Sequence, residues 1–185
     1  MTLNPYETQS QKIIPAVLLY AFYESEIVMI KPHSTEGKPR KWNGLGGKLE
    51  SGETMRDAAV REFKEESQCT TAKHQWMWLG QLYFPNFKSS KNEDWWVTVF
   101  TTDLTTQQLR EIPLNSSKLK EGVLKIMPLS KILTLDLWDG DQYFLPFVFA
   151  RTPFEGTFFY ENGQCTRHEI FPINGSCSPS KDQLP

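Results

Sequence analysis

Apolar positions along the chain fall into short dense runs separated by polar stretches. IIPAVLLYAFY and IVMI, between residues 13 and 30, flank Glu24 to Glu26 and predict a hairpin of two strands. WMWLGQLYF and WWVTVFTTD, on either side of the polar PNFKSSKNED, predict two more strands, VLKIMPL a further short one, and GTFFYENG with HEIFPI a closing hairpin. Residues 54–67 break the strand pattern. TMRDAAVREFKEES is rich in good helix formers, and Thr54 followed three residues later by Asp57 has the spacing of a capping box, so a helix is expected from about Thr54 to about Ser67. DQYFLPFVFA predicts a second, short helix broken or started near Pro146. Strands that dominate with helices among them imply an α/β fold, a sandwich with a mixed sheet between helices. Residues 1–11 and the Ser- and Pro-rich GSCSPSKDQLP (175–185) carry no such pattern, and are expected as flexible segments flanking one domain over residues 12–174.

Composition narrows the class. A chain of 185 residues, 39% hydrophobic and 13% aromatic, has ample core for one domain and little room for two. Its formal net charge of -2 argues against a protein that grips nucleic acid chiefly through phosphates, leaving small ligands open. Cys69, Cys165 and Cys177 are far apart with no C-x-x-C, which suggests neither a disulfide framework nor a zinc knuckle and fits the cytoplasm. The run from Ile13 to Tyr23 is too short to span a bilayer and contains Pro15, so no membrane association is expected. His33, His74 and His168 share no metal spacing, and Trp95-Trp96 on a strand puts one ring on each sheet face, an arrangement typical of packing.

The chemistry lies in the helix after the glycine-rich GLGGKLESG. At about 100° per residue, Glu62, Glu65 and Glu66 project into one arc together with Met55, Ala58 and Ala59, while Arg56, Asp57, Arg61 and Lys64 point away from it. A charge run is ordinarily a solvated face. Here the solvated face is a different one. Glu65 and Glu66 also sit in the last turn, where the helix dipole disfavours a carboxylate by up to about 1 kcal/mol. A divalent cation would offset both penalties, and an all-oxygen donor set without His or Cys selects Mg²⁺ or Mn²⁺. Such ions take phosphate oxygens as further ligands, which points to phosphoryl chemistry. Gly44, Gly46, Gly47 and Gly52 let the preceding backbone approach a ligand. No P-loop is present, because Gly47-Lys48 is followed by Leu49, and there is no G-x-G-x-x-G.

Gly47, five residues, Glu53, seven residues, then Arg61-Glu62-Phe63-Lys64-Glu65-Glu66 resembles the signature of the Nudix hydrolases with every spacing kept. The departure is Gln68, where the family pattern has Gly. If that position caps the helix in the left-handed conformation, Gln there costs on the order of 1 kcal/mol. The likeness extends over roughly residues 13 to 161, through KWNGLGGK, EGVLKIMPL and LWDGDQYFLPFVFARTPFEGTFFY, and is nearest to the 8-oxo-dGTP diphosphatase branch. The resemblance implies that Glu62, Glu65 and Glu66 bind metal with the Gly46 carbonyl, and that Arg61 and Glu53 form a supporting ion pair. It places Glu121 as a further metal-binding or base glutamate and has Asn43, Trp138 and Asp141 line a purine pocket. Gly47 and Lys48 are further candidate substrate contacts.

Several positions have a second reading. Asp141 could cap its helix, Trp138 could be core, Asn43 and Glu121-Gly122 could be turn residues. The branch shows two adjacent acids where this chain has Gly140 and Asp141. The expected reaction is Mg²⁺-dependent hydrolysis of a nucleoside diphosphate linked to another group, with a purine nucleoside triphosphate giving monophosphate and pyrophosphate. Glu62 or Glu65 is the first candidate to accept the proton, and Glu121 the second. Three alternatives stay open: ADP-ribose or a nucleotide sugar as substrate, the 5′ end of RNA, and a sensor domain without catalysis. The expected partner is a small nucleotide, without membrane or stable nucleic-acid association, and the chain is expected as a monomer or homodimer.

Overall fold

A computed structural model describes residues 11–33 and 40–173. Residues 1–10 and 174–185, which hold nearly all of the two segments expected to be flexible, lie outside the described residues. The elements run β1 (Lys12–Tyr23), β2 (Glu26–Pro32), α1 (Met55–Ser67), β3 (Met77–Lys88), β4 (Glu93–Asp103), α2 (Thr106–Glu111), β5 (Gly122–Pro128), α3 (Leu129–Ile132), α4 (Asp141–Phe149), β6 (Phe154–Glu161) and β7 (Gln164–Pro172). The strands form one mixed sheet in the order β5-β2-β1-β4-β3-β6-β7.

β1 explains why its run is apolar throughout rather than alternating. It lies parallel to β4 over Lys12 to Phe22, near the middle of the sheet, and is covered on both faces. Ala16, Tyr20 and Phe22 join the core on the side of α4, with Phe144, Leu145, Val148, Phe154 and Phe158. Val17, Leu19 and Ala21 join the core on the side of α1, with Ala58, Ala59, Phe63 and Trp76. The sheet is thus the middle of three layers. Pro15 is tolerated inside β1 because that edge meets the glycine-rich segment, where Leu49 N–H donates to the Pro15 carbonyl at 3.1 Å and no donor is needed from residue 15.

α1 starts where the capping pattern places it. Thr54 accepts from the Asp57 amide and the Asp57 carboxylate accepts from the Thr54 amide, closing both halves of the box. Burial of Ala58, Ala59 and Phe63 holds the helix to the sheet, the Phe63 side chain alone contributing roughly 1.5–3 kcal/mol. The helix ends at Gln68 in the left-handed region, φ 61° and ψ 3°, with its N–H bonded to Lys64 O. Gln68→Gly relieves that strain and is expected to raise stability by about 1 kcal/mol, read as a higher urea midpoint at unchanged slope.

Three helices differ from the expected pattern; one is α3, a single turn directly after β5 that is too short to leave a periodicity. α4 is continuous through Pro146 rather than broken there, because the residue is exposed, as is Gln142, whose carbonyl loses the bond that proline cannot make. α2 is an extra helix that apolar periodicity does not show, since it buries no residue; its signal is the capping box of Thr105 and Gln108. Among the described residues no helix is long and apolar enough to cross a membrane.

Candidate active site

The segment from Asn43 to Leu49 runs between β1 and α1. Leu19 N–H donates to Leu45 O and Val17 N–H to Gly47 O, at 2.7 and 2.8 Å, so this backbone lies against β1 at alternate residues. The Gly46 amide faces the other way and donates to Glu66 Oε2 at 2.8 Å. Gly46 holds φ 139°, and a Cβ there would sit 2.1 Å from the Val17 carbonyl oxygen. Next to it, a Cβ on Gly47 would lie 2.3 Å from Glu62 Oε1. Only glycine lets the Glu62 carboxylate reach this backbone.

Arg61 corrects the expectation that it points away from the glutamates. Its Nε and Nη2 donate to the two carboxylate oxygens of Glu53 at 2.7 and 2.9 Å, and Nη2 also to Lys48 O at 3.0 Å. Nη1 reaches Glu62 Oε1 at 2.8 Å and Glu65 Oε2 at 3.4 Å. The Cβ leaves the helix on another side, but the long side chain ends in a planar fork that spans several acceptors at once. The packed face also includes less than expected: the Glu65 side chain is 58% exposed, against 13% for Glu62.

Electrostatics separates these acids. The hydrogen bonds from Arg61 hold the Glu53 carboxyl below its usual range. Burial pushes Glu62 up, only partly opposed by Arg61. Burial pushes Glu66 up to about 8, against the Gly46 hydrogen bond, and the charges of Glu62, Glu121 and Glu65 add to it. Glu121, immediately before β5, is therefore within electrostatic reach of Glu66 although its side chain is 51% exposed.

The donor chemistry fits a hard divalent cation: every candidate donor atom is an oxygen, and burial, with the charges of Glu62, Glu121 and Glu65 adding to it, raises the proton affinity of Glu66. Among the described residues no three acidic, His or Cys side chains are gathered as a ready metal cluster. Glu62 and Glu65 are turned to Arg61 and Glu66 to Gly46. A cation would be held by Glu62, Glu65 and Glu66, with Glu121 and the Gly46 backbone nearby.

Across the Asn43–Leu49 segment from this helix, on the α4 face of the sheet, lies a cavity of about 170 Å³. That is the scale of the ~150 Å³ cavities that accept one benzene-sized ring. Asn43, Gly46, Gly47, Trp138 and Asp141 all border it. The Asn43 side-chain oxygen accepts from the Gly44 amide at 2.9 Å, which leaves its NH₂ as the donor for a ligand. Asp141 is the first residue of α4, with Gly140 and not Asp141 as the cap, and is 6% exposed. Burial pushes its carboxyl up to about 7, with a Trp138 backbone hydrogen bond and the Lys41 charge opposing. Where the related branch has another acid, the Gly140 N–H donates instead to the Tyr160 hydroxyl at 2.9 Å, and Tyr160 takes a place on the wall.

Phe84, Phe87, Trp95 and Phe144 complete the aromatic lining and were not among the expected site residues. Trp95 and Trp96 do lie on opposite sheet faces, but Trp95 borders the cavity rather than simply packing. Strand alternation groups Trp95 with Val97 and Val99 on the α4 face, which was the available signal.

The profile of the NUDIX domain matches residues 12–148. The chain is 30% identical over 123 residues to the oxidized purine nucleoside triphosphate hydrolase of Mus musculus, a match covering 66% of this chain and 71% of the relative. It is 31% identical over 128 residues to the uncharacterized Nudix hydrolase YvcI of Bacillus subtilis (strain 168), covering 66% and 75%. The structure of a MutT protein from Bacillus halodurans is similar in fold, with TM-score 0.69, 20% identity, and coverage of 85% of this chain and 97% of that one. With the profile spanning well over half of its length, the chain belongs to the Nudix hydrolase family and is an enzyme of the pyrophosphohydrolase type.

Proposed function

We propose that this enzyme hydrolyses a purine nucleoside triphosphate, with an oxidised purine such as 8-oxo-dGTP as the leading case, to the monophosphate and pyrophosphate with Mg²⁺. One observation carries the reading: the aromatic cavity is bordered by Gly46 and Gly47, the two residues whose backbone touches Glu66 and Glu62. A base seated in the cavity has its phosphates beside the acidic helix. The name of the mouse relative supports the substrate class.

In this reading Trp138 and the phenylalanines stack on the base, a contribution of roughly 1–3 kcal/mol per base for such platforms. The Asp141 carboxyl, titrating near neutrality, can donate as well as accept at a base edge, and the Asn43 NH₂ donates. Glu62, Glu65 and Glu66 would hold Mg²⁺ or Mn²⁺, with Glu121 as a further ligand or base. Bound there, the ion supplies neutralisation of phosphate charge and a more acidic water. Arg61, clamped by Glu53 and the Lys48 carbonyl, fixes the orientation of Glu62 and Glu65. Glu65, the most exposed of the three, is placed to take a proton from water.

Incubation of the purified enzyme and Mg²⁺ with 8-oxo-dGTP, dGTP, dATP, ADP-ribose and a UDP-sugar, followed by product separation, tests the proposal. A purine triphosphate should give the highest kcat/KM, with monophosphate and pyrophosphate as products. Preferential cleavage of ADP-ribose or of the sugar nucleotide would contradict it, and tight binding without product would mark a sensor.

A further inference from the structure

α1 covers only part of its side of the sheet. The core on that side draws its strand residues from β1, β2, β4 and β5 and includes none from β3, β6 or β7. Strand pairing nevertheless carries the same face onward, in a row from Trp96 of β4 through Tyr83 and Thr157 to Glu169 of β7. Glu155 and Phe171 stand side by side in the next row. Large apolar side chains are exposed here, Trp78 by 41%, Trp96 by 44% and Phe171 by 56%. Single exposed apolar residues are ordinary, but several on one uncovered face mark an interaction surface. Trp96 and Gln81 border two grooves. One leads to Arg56 and Trp78 at the start of α1, the other to Glu155, Glu169 and Phe171. Arg56 is exposed, with its Nε donating to Trp76 O at 3.2 Å, and among the described residues neither it nor Glu155 or Glu169 has an ion-pair partner. The face is thus basic on one side of Trp96 and acidic on the other.

We infer that two copies of the chain associate through this face, about a two-fold axis running along β3. Such an axis makes the contact self-complementary, because what lies on one side of it in one copy meets the other side of its partner. Arg56 of each copy comes opposite the partner's Glu155 and Glu169, so the charges match at both ends of the contact while Trp96 lies near its centre. The N-terminal end of the partner's α1 supplies the layer missing over β6 and β7. Complementary charge fixes the register, and the aromatic centre provides the burial that drives association. The aromatic cavity lies on the other face of the sheet, and Glu62, Glu65 and Glu66 lie toward the other end of α1, so each copy keeps its own site open. The inference holds whichever nucleotide is cleaved.

Sedimentation equilibrium of the full chain over a range of concentrations tests this. The wild type should reach twice the 21.4 kDa mass of one chain. Arg56→Glu, and separately the double variant Glu155→Lys/Glu169→Lys, should each raise the dissociation constant at least about tenfold, since like charges then face each other at both ends. An equimolar mixture of the two should recover an affinity within about threefold of the wild type, because every altered charge meets its opposite again. Trp96→Ala should weaken association at least about tenfold, as loss of a central aromatic anchor does. Thermal unfolding of each variant at low concentration checks that it is folded, and the charge mixture decides the matter if the Trp96 variant is not. A wild type that stays monomeric at every concentration, as it would if the chain's own ends filled the face, would overturn the inference. So would a dimer whose affinity ignores both charge variants, or a mixture that associates no better than its components.

Discussion

Glu65→Gln is expected to lower kcat by about 10²–10⁴-fold, the range for loss of a positioned acid or base, while the protein stays folded. The substitution keeps the shape and removes the charge. Glu65 is 58% exposed and among the described residues its one close side-chain partner is Arg61 Nη1 at 3.4 Å, a contact of small value at such exposure, so the unfolding midpoint should move little. Arg61 keeps Glu53, Glu62 and the Lys48 carbonyl, and the rest of the network survives. Steady-state kinetics with thermal unfolding on the same samples checks both halves. A variant that turns over at the wild-type rate removes Glu65 from the chemistry.

The second large effect is on stability, and its sign follows from the buried acids. The carboxyls of Glu66 and Asp141 titrate near 8 and 7 in the folded protein, well above their usual range, chiefly because they are buried. A raised carboxyl binds its proton more tightly in the folded state than in the unfolded one. Stability from these two groups is therefore highest below the unfolded value, falls as pH rises through neutrality, and levels off above about 8. The groups held low behave differently: Asp57, at about 2 through its hydrogen bonds with Lys73 and Thr54, together with Glu53, is already ionised in both states from pH 5.5 upward and does not move the balance there. Chelated protein should lose roughly 3–5 kcal/mol between pH 5.5 and 8.5, a Tm lower by on the order of 10 °C. Saturating Mg²⁺ should reduce the loss by compensating the carboxylate charge, and Glu66→Gln should flatten the chelated curve. A flat pH profile in chelated wild type would show that these acids are not destabilised.

Much of this was open to reading from the residues. The Thr54–Asp57 capping box and the good helix formers after it place α1, and the spacing of Glu62, Glu65 and Glu66 puts them on one side of it. The apolar run of β1 predicts a core strand, although its parallel pairing with β4 depends on contacts far along the chain. What escaped were features set by side-chain reach and tertiary contact. Arg61 leaves the helix away from the glutamates yet returns to two of them through its guanidinium, which helical angles for Cβ positions do not represent. Trp95 could be assigned to a sheet face but not to a cavity, since the cavity exists only once α4 and the Asn43–Leu49 segment are laid against that face. Gln68 shows the opposite case: the left-handed cap, considered from the family pattern, is kept in this chain without the glycine that would ease it.

The central claim is that the acidic helix holds the divalent cation on which hydrolysis depends. Titration of the chelated protein with Mn²⁺, following free ion by electron paramagnetic resonance, measures this without any substrate. The wild type should take up Mn²⁺ and release it to excess Mg²⁺, and Glu62→Gln and Glu66→Gln should each weaken uptake at least about tenfold, as loss of one charged ligand implies. Uptake by both variants with wild-type affinity would contradict the account.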